Sequence, residues 1–249
     1  MNSKSFQSFD GKVRSLNQHL QLLDLALTMS NAACAKKKST VKTMAEALQS
    51  DLQSHPQLNI PNLPKDIKRT FTTSRKKANE QALIELYAYF SEYLSSIIRE
   101  LECNDPKRVI SLIPGNGEFA LKYVDIFNMS TYDDILDEIA KRVYRSLENE
   151  KSTSKLLDKI TKTFDLRVPE RLKEDALTYL EVRHLIIHSG SKADDKFNTL
   201  NKHGLVEINK SNHLLSINYS MVSAAIAKVR ELCKTIDDEI AMKGCGSCL

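Results

Sequence analysis

No stretch of the chain approaches 18 consecutive apolar residues, so the sequence holds no candidate for a membrane-spanning helix. Its opening, "MNSKSFQSFDGK", lacks the apolar core that a secretory signal needs. Cysteine is sparse and odd in number, with 5 at Cys34, Cys103, Cys233, Cys245 and Cys248. That argues against a disulfide framework, and the expectation is a cytoplasmic, thiol-reduced protein with no membrane association. The C-x-x-C of "KGCGSCL" has no strand or βαβ pattern ahead of it, and neither cysteine stands four from the end as prenylation requires. Residues 243–249 are therefore expected to be a flexible tail. A dominant charge sign is missing too: 36 Lys and Arg against 32 Asp and Glu leave +4, which tolerates a polyanionic partner without demanding one. No repeat recurs at a fixed period. The glycines of "LIPGNGEF" lack the spacing of a phosphate-binding loop, and no nucleotide or other cofactor is expected.

What is present is helical periodicity in a chain of 249 residues, 41% hydrophobic and 27% charged, long enough for one large core or two modest ones. Val13, Leu16, Leu20, Leu23 and Leu27 recur at three and four, and Val41, Met44, Leu48 and Leu52 suggest a second helix beyond the polar "AKKKST". This pair reads as an N-terminal helical hairpin over residues 1–55. Pro56, Pro61 and Pro64 then crowd a segment no helix interior would accept, which sets a boundary before a main domain over residues 65–242. In it, "ALIELYAYFSEYLSSIIREL" carries an aromatic-lined helical stripe. "TYDDILDEIAKRVYRSL" and "TSKLLDKITKTF" look like helices capped by Thr or Ser, and Pro169 suits the first turn of the next one. "LVEINKSNHLLSIN" alternates too loosely to distinguish a small β-excursion from an irregular loop, and "YSMVSAAIAKVRELCKTIDDEI" closes the chain as a helix. The expected fold class is an all-α bundle.

The segment "YLEVRHLIIHSG" poses the functional question, because Arg183, His184 and His188 interrupt Val182, Leu185, Ile186 and Ile187. A histidine near a helix C-terminus can serve the last carbonyls and the dipole, and an arginine can pair with an acid such as Glu181 or Asp175. The three together, in a seam of Leu and Ile, would carry desolvation costs unless a channel, a partner or a ligand satisfied them. That points to a cleft. His184 and His188 also match two metal ligands one turn apart, but there is no H-E-x-x-H pattern and no nucleophile elbow for Ser189, so the expectation is no metal and no serine triad.

"RHLIIH" resembles the hallmark of the HEPN superfamily (higher eukaryotes and prokaryotes nucleotide-binding domain): an arginine, a polar residue next to it, a short spacer and a histidine, here Arg183, His184 and His188. The order of helices from about residue 66 to 240, with "ALIELYAYFSEYL" before the motif and "SAAIAKVREL" after it, is similar to the ribonuclease-type members of prokaryotes. The resemblance implies metal-independent RNA cleavage by a homodimer whose two motifs face each other, acting as a toxin or antiviral defence effector. The ribose 2′-hydroxyl would attack the adjacent phosphorus, leaving a 2′,3′-cyclic phosphate and a 5′-hydroxyl. His188 would move a proton, and Arg183 would hold the charge on the non-bridging oxygens. His184 would hold the phosphate or orient His188.

Members paired with a nucleotidyltransferase antitoxin often carry a tyrosine two positions beyond the motif histidine; Gly190 stands there, which turns the expectation toward a different antitoxin or a regulatory protein. Arg75, Lys76, Lys77, Lys192 and Lys196 are candidates for tracking an RNA backbone, against the alternative of a solvated charged face. The competing reading is a catalytically inactive HEPN-like scaffold that binds a protein partner.

Overall fold

The computed structural model describes residues 2–36, 53, 64–104, 106–112, 123–148 and 153–243. The chain is all-α, and among the described residues the only β-pairing is two isolated bridges, Lys192 with Leu214 and Ile208 with Leu215. The segment "LVEINKSNHLLSIN" is thus an irregular loop pinned at two points. The helices run α1 (Lys4–Lys36), α2 (Pro64–Asn104), α3 (Pro106–Ser111), α4 (Tyr123–Phe127), α5 (Tyr132–Glu148), α6 (Thr153–Thr163), α7 (Glu170–Ser189), α8 (Asp195–Leu200) and α9 (Tyr219–Met242).

α2 is the axis of the bundle. It is 41 residues long and opens on Pro64, a residue suited to a helix start because its missing N–H would have no partner there. Leu83, Leu86, Phe90, Leu94, Ile97 and Leu101 recur along it and are buried, against α1, α5, α7 and α9. The first helix runs antiparallel to α2, since Ser5 meets Glu100, Lys12 meets Glu92 and Asp24 meets Arg75. Phe6, Phe9, Val13, Leu16 and Leu20 of α1 lie in the same continuous core as the residues of α2, α7 and α9. Among the described residues, α1 packs its buried stripe on the main bundle and shares its core. The second hairpin helix, expected from Val41 to Leu52, lies outside the described residues.

Carboxylates from two other helices fix the start of α1. The backbone N–H of Ser3 donates to Asp237 of α9 at 3.2 Å, and the N–H and hydroxyl of Ser5 donate to Glu100 of α2 at 3.0 and 2.6 Å. Orphan donors at a helix N-terminus thereby gain charged acceptors, in the orientation the helix dipole favours. Phe6, Phe9 and Tyr93 cluster edge-on and tilted beneath them, and the buried Tyr93 hydroxyl donates to the Cys233 carbonyl at 2.9 Å.

The local signals read from sequence hold in part. Thr131 caps α5 by accepting from the Asp134 N–H at 3.2 Å, while the Asp134 carboxylate accepts from the Thr131 N–H at 2.9 Å, a reciprocal box. Pro169 stands one residue before α7. Of the tail, Lys243 is anchored, donating to the Phe164 carbonyl at 3.2 Å and pairing with Asp165 at 2.9 Å; residues 244–249 lie outside the described residues. No helix among the described residues is long and apolar enough to cross a membrane.

Candidate functional site: the exposed end of helix α7

α7 changes environment along its length. Leu172, Ala176, Leu177, Tyr179, Leu180, Val182 and Leu185 are buried and seat the helix in the bundle. At about 100° per residue, Arg183, His184, Ile187 and His188 fall on the same side of the helix as Ala176, Leu177 and Leu180. The earlier three are covered; His184, Ile187 and His188 are exposed, and Arg183 is half-buried. The expectation that all three polar residues sit desolvated in an apolar seam is thus corrected. The apolar half of the segment turns inward while Arg183, His184 and His188 emerge, so ordinary hydration meets their cost.

The position of this end is tightly fixed. Gly190 ends α7 with φ of +58°, a left-handed conformation in which a Cβ costs energy, and its N–H reaches back to the Leu185 carbonyl. Ser191, also at positive φ, donates its N–H to the same carbonyl at 2.9 Å and its hydroxyl to Glu80 of α2 at 3.0 Å. The Ser191 carbonyl accepts from the Leu215 N–H at 2.9 Å, and the His213 carbonyl accepts from the Ala193 N–H at 2.9 Å, which ties the 205–217 loop to the turn after the motif. The loop thus braces the helix end from outside.

Arg183 has its guanidinium over the ring of Tyr87 on α2, 4.9 Å from the centroid. The Tyr87 hydroxyl lies 3.4 Å from the Thr153 hydroxyl at the start of α6. Tyr87 and Glu80 are the residues that sequence reading left out of the site. Tyr87 is legible as one aromatic in the α2 stripe, but nothing in its spacing reveals that its face carries a cation. The rings of His184 and His188 lie side by side, with centroids 4.7 Å apart and planes inclined at 44°. Among the described residues no group of three or more His, Cys, Asp or Glu side chains could hold a metal ion.

The basic candidates are scattered. Arg75 is engaged by α1, pairing with Asp24 at 3.1 Å and hydrogen-bonded to Thr28. Lys76 pairs with Glu80 at 3.6 Å, the acid that also receives Ser191, so it stands beside the end of α7. Lys77 is exposed next to it, and Lys192 is exposed just past the motif. Lys196 pairs with Glu181 of α7 at 2.7 Å. The motif end therefore has Lys76, Lys77, Lys192 and Lys196 around it, while Arg75 holds α1 to α2. No family model, no curated protein and no solved structure matches the chain.

Proposed function

We propose that the chain is a metal-independent endoribonuclease of the HEPN type, cleaving RNA to 2′,3′-cyclic phosphate and 5′-hydroxyl ends as a toxin or antiviral defence effector in the cytoplasm. The observation that carries the reading is the presence, on one exposed and braced helix end, of a guanidinium seated over Tyr87 and of two adjacent imidazoles.

The proposed chemistry assigns one role to each group. His188 takes the proton from the ribose 2′-hydroxyl or delivers one to the leaving 5′-oxygen. Arg183 donates two hydrogen bonds to the non-bridging oxygens as their charge grows, and its seat on Tyr87 leaves less side-chain freedom to lose on binding. His184 holds the phosphate or orients His188. DNA lacks the attacking hydroxyl and is not cut. With His184 assigned to the phosphate or to orienting His188, one copy brings a single proton-transferring imidazole, so the active species is a two-fold homodimer joined around Arg183–His188, with the exposed Ile187 inside the interface. Lys76, Lys77, Lys192 and Lys196 contact flanking phosphates, and Arg75 contributes only through the α1–α2 contact. An antitoxin or regulatory protein restrains the enzyme.

Incubation of the purified chain with labelled single-stranded RNA and the matching DNA, both in excess chelator, tests this reading. RNA cut and DNA intact is the expected result; intact RNA across varied sequences overturns it. A second reading has one observation in its favour. Tyr123, Val124, Ile126, Phe127 and Tyr132 are exposed apolar residues on α4 and the start of α5, the kind of patch a protein-binding scaffold presents.

A further inference from the structure

His184 and His188 project from successive turns of an exposed helix end with ring centroids 4.7 Å apart. Two imidazoles bound to one ion through nitrogens at ~2.1 Å have centroids about 4.6 Å apart at a square angle and about 5.3 Å apart at a tetrahedral one. The rings are therefore close enough for one nitrogen of each to reach a common ion through side-chain rotation.

We propose that His184 and His188 form a two-ligand site for a divalent transition ion of the Zn²⁺, Ni²⁺ and Cu²⁺ class, and that its occupancy switches the ribonuclease site off. The binding half stands on the imidazole geometry alone; the inhibitory half rests on the ribonuclease reading. Imidazole nitrogen selects these ions over Mg²⁺ and Ca²⁺, which prefer oxygen.

The site is open. No third protein ligand completes it among the described residues. The acid nearest in sequence on that face is Glu181, and Lys196 holds one of its oxygens at 2.7 Å. In a single copy water fills the remaining positions, so the ion exchanges and is not a structural anchor. Two nitrogen–metal bonds form, bound water leaves, and any proton on a coordinating nitrogen is released to buffer. A nitrogen whose lone pair is committed to the ion cannot accept the 2′-hydroxyl proton. The inhibition follows from that occupied lone pair and needs no conformational change.

Titration of the full-length chain with Ni²⁺ and Zn²⁺ by calorimetry tests the site, with Cys245→Ser/Cys248→Ser as the background so that tail thiols do not contribute. His184→Gln and His188→Gln are made separately; both side chains are exposed, and circular dichroism confirms that each variant stays folded. One ion per chain is expected, with each substitution weakening binding at least ~10-fold, the lower end of what even outer-shell ligand losses cause. Equal binding by all three proteins, or binding by none, overturns the site. RNA cleavage is followed alongside: saturating Zn²⁺ stops it and chelator restores it. Undiminished cleavage with the site saturated overturns the inhibitory half. Histidine-dependent binding with no cleavage under any condition defeats the ribonuclease reading, and the inhibitory half with it, while the metal site stands.

Discussion

The guanidinium of Arg183 rests on the ring of Tyr87, 4.9 Å from its centroid, and this contact between α7 and α2 orients the site. Antiparallel packing produces it: Ser191 of the α7 cap meets Glu80 on α2, so the residue eight earlier on α7 meets a residue seven later on α2. A cation over an aromatic face contributes about 0.5–1 kcal/mol at an exposed position, small for stability but enough to hold one rotamer.

Tyr87→Phe keeps the ring and should keep cleavage close to wild type. Tyr87→Leu removes the π-face and should lower kcat/KM while leaving thermal stability within ~1 kcal/mol. Arg183→Lys should not rescue Arg183→Ala, because an ammonium cannot present a two-pronged fork to phosphate. Steady-state kinetics of the four variants checks both points. Equal rates for Tyr87→Leu and wild type would remove Tyr87 as a positioning residue.

The α7 cap gives a second expectation. Gly190 holds φ of +58°, so Gly190→Ala should destabilise by about 1 kcal/mol. Ser191→Ala deletes the hydrogen bond to Glu80 and should cost a similar ~1 kcal/mol. Urea unfolding reads both. No change for either would mean that the end of α7 is not braced as described.

Sequence periodicity foretold the helical class because buried stripes at three and four residues leave no other fold. It did not foretell where α1 would pack. Val13, Leu16 and Leu20 mark a buried face, but a stripe carries no label for its partner; among the described residues that face joins the core of α2, α7 and α9. The site was half legible. Arg183, His184 and His188 stood out as polar residues in an apolar run, while Tyr87 and Glu80 lie about a hundred residues away on α2, beyond the reach of any local pattern. The desolvation expected for the three polar residues failed because helical phase places them at the end of a buried face, where the bundle stops covering it.

Integration of α1 predicts one cooperative unfolding transition for the whole chain. Phe9 is buried beside Tyr93, with ring centroids 5.4 Å apart, so Phe9→Ala should lower global stability by about 3–5 kcal/mol. Differential scanning calorimetry showing a separate early transition for α1, with the main transition unmoved, would contradict the shared core.

Asp10 predicts an acid limb of the stability profile. Burial raises its carboxyl pKa, but the hydrogen bond and charge of Arg230 on α9, aided by Arg14, outweigh that and hold it below the ordinary value of 3.8. A carboxyl with a lower pKa when folded stabilises the fold fully above the unfolded value. The contribution fades as pH falls through the ordinary carboxylate range toward the lowered folded value. Asp10→Asn should therefore be less stable than wild type near neutrality, and the gap should close at strongly acid pH. A gap that widens on acidification would reverse the sign of this account.

The central claim is that Arg183 and His188 cut RNA through its own 2′-hydroxyl. The direct measurement is mass spectrometry of products from an oligoribonucleotide, in chelator, for wild type, Arg183→Ala and His188→Ala, each confirmed as folded and of wild-type oligomeric state. The account predicts 2′,3′-cyclic phosphate and 5′-hydroxyl ends from wild type and a loss of about 10²–10⁴ in rate for His188→Ala. Cleavage by His188→Ala at the wild-type rate with the same ends, or no cleavage by wild type, would contradict it.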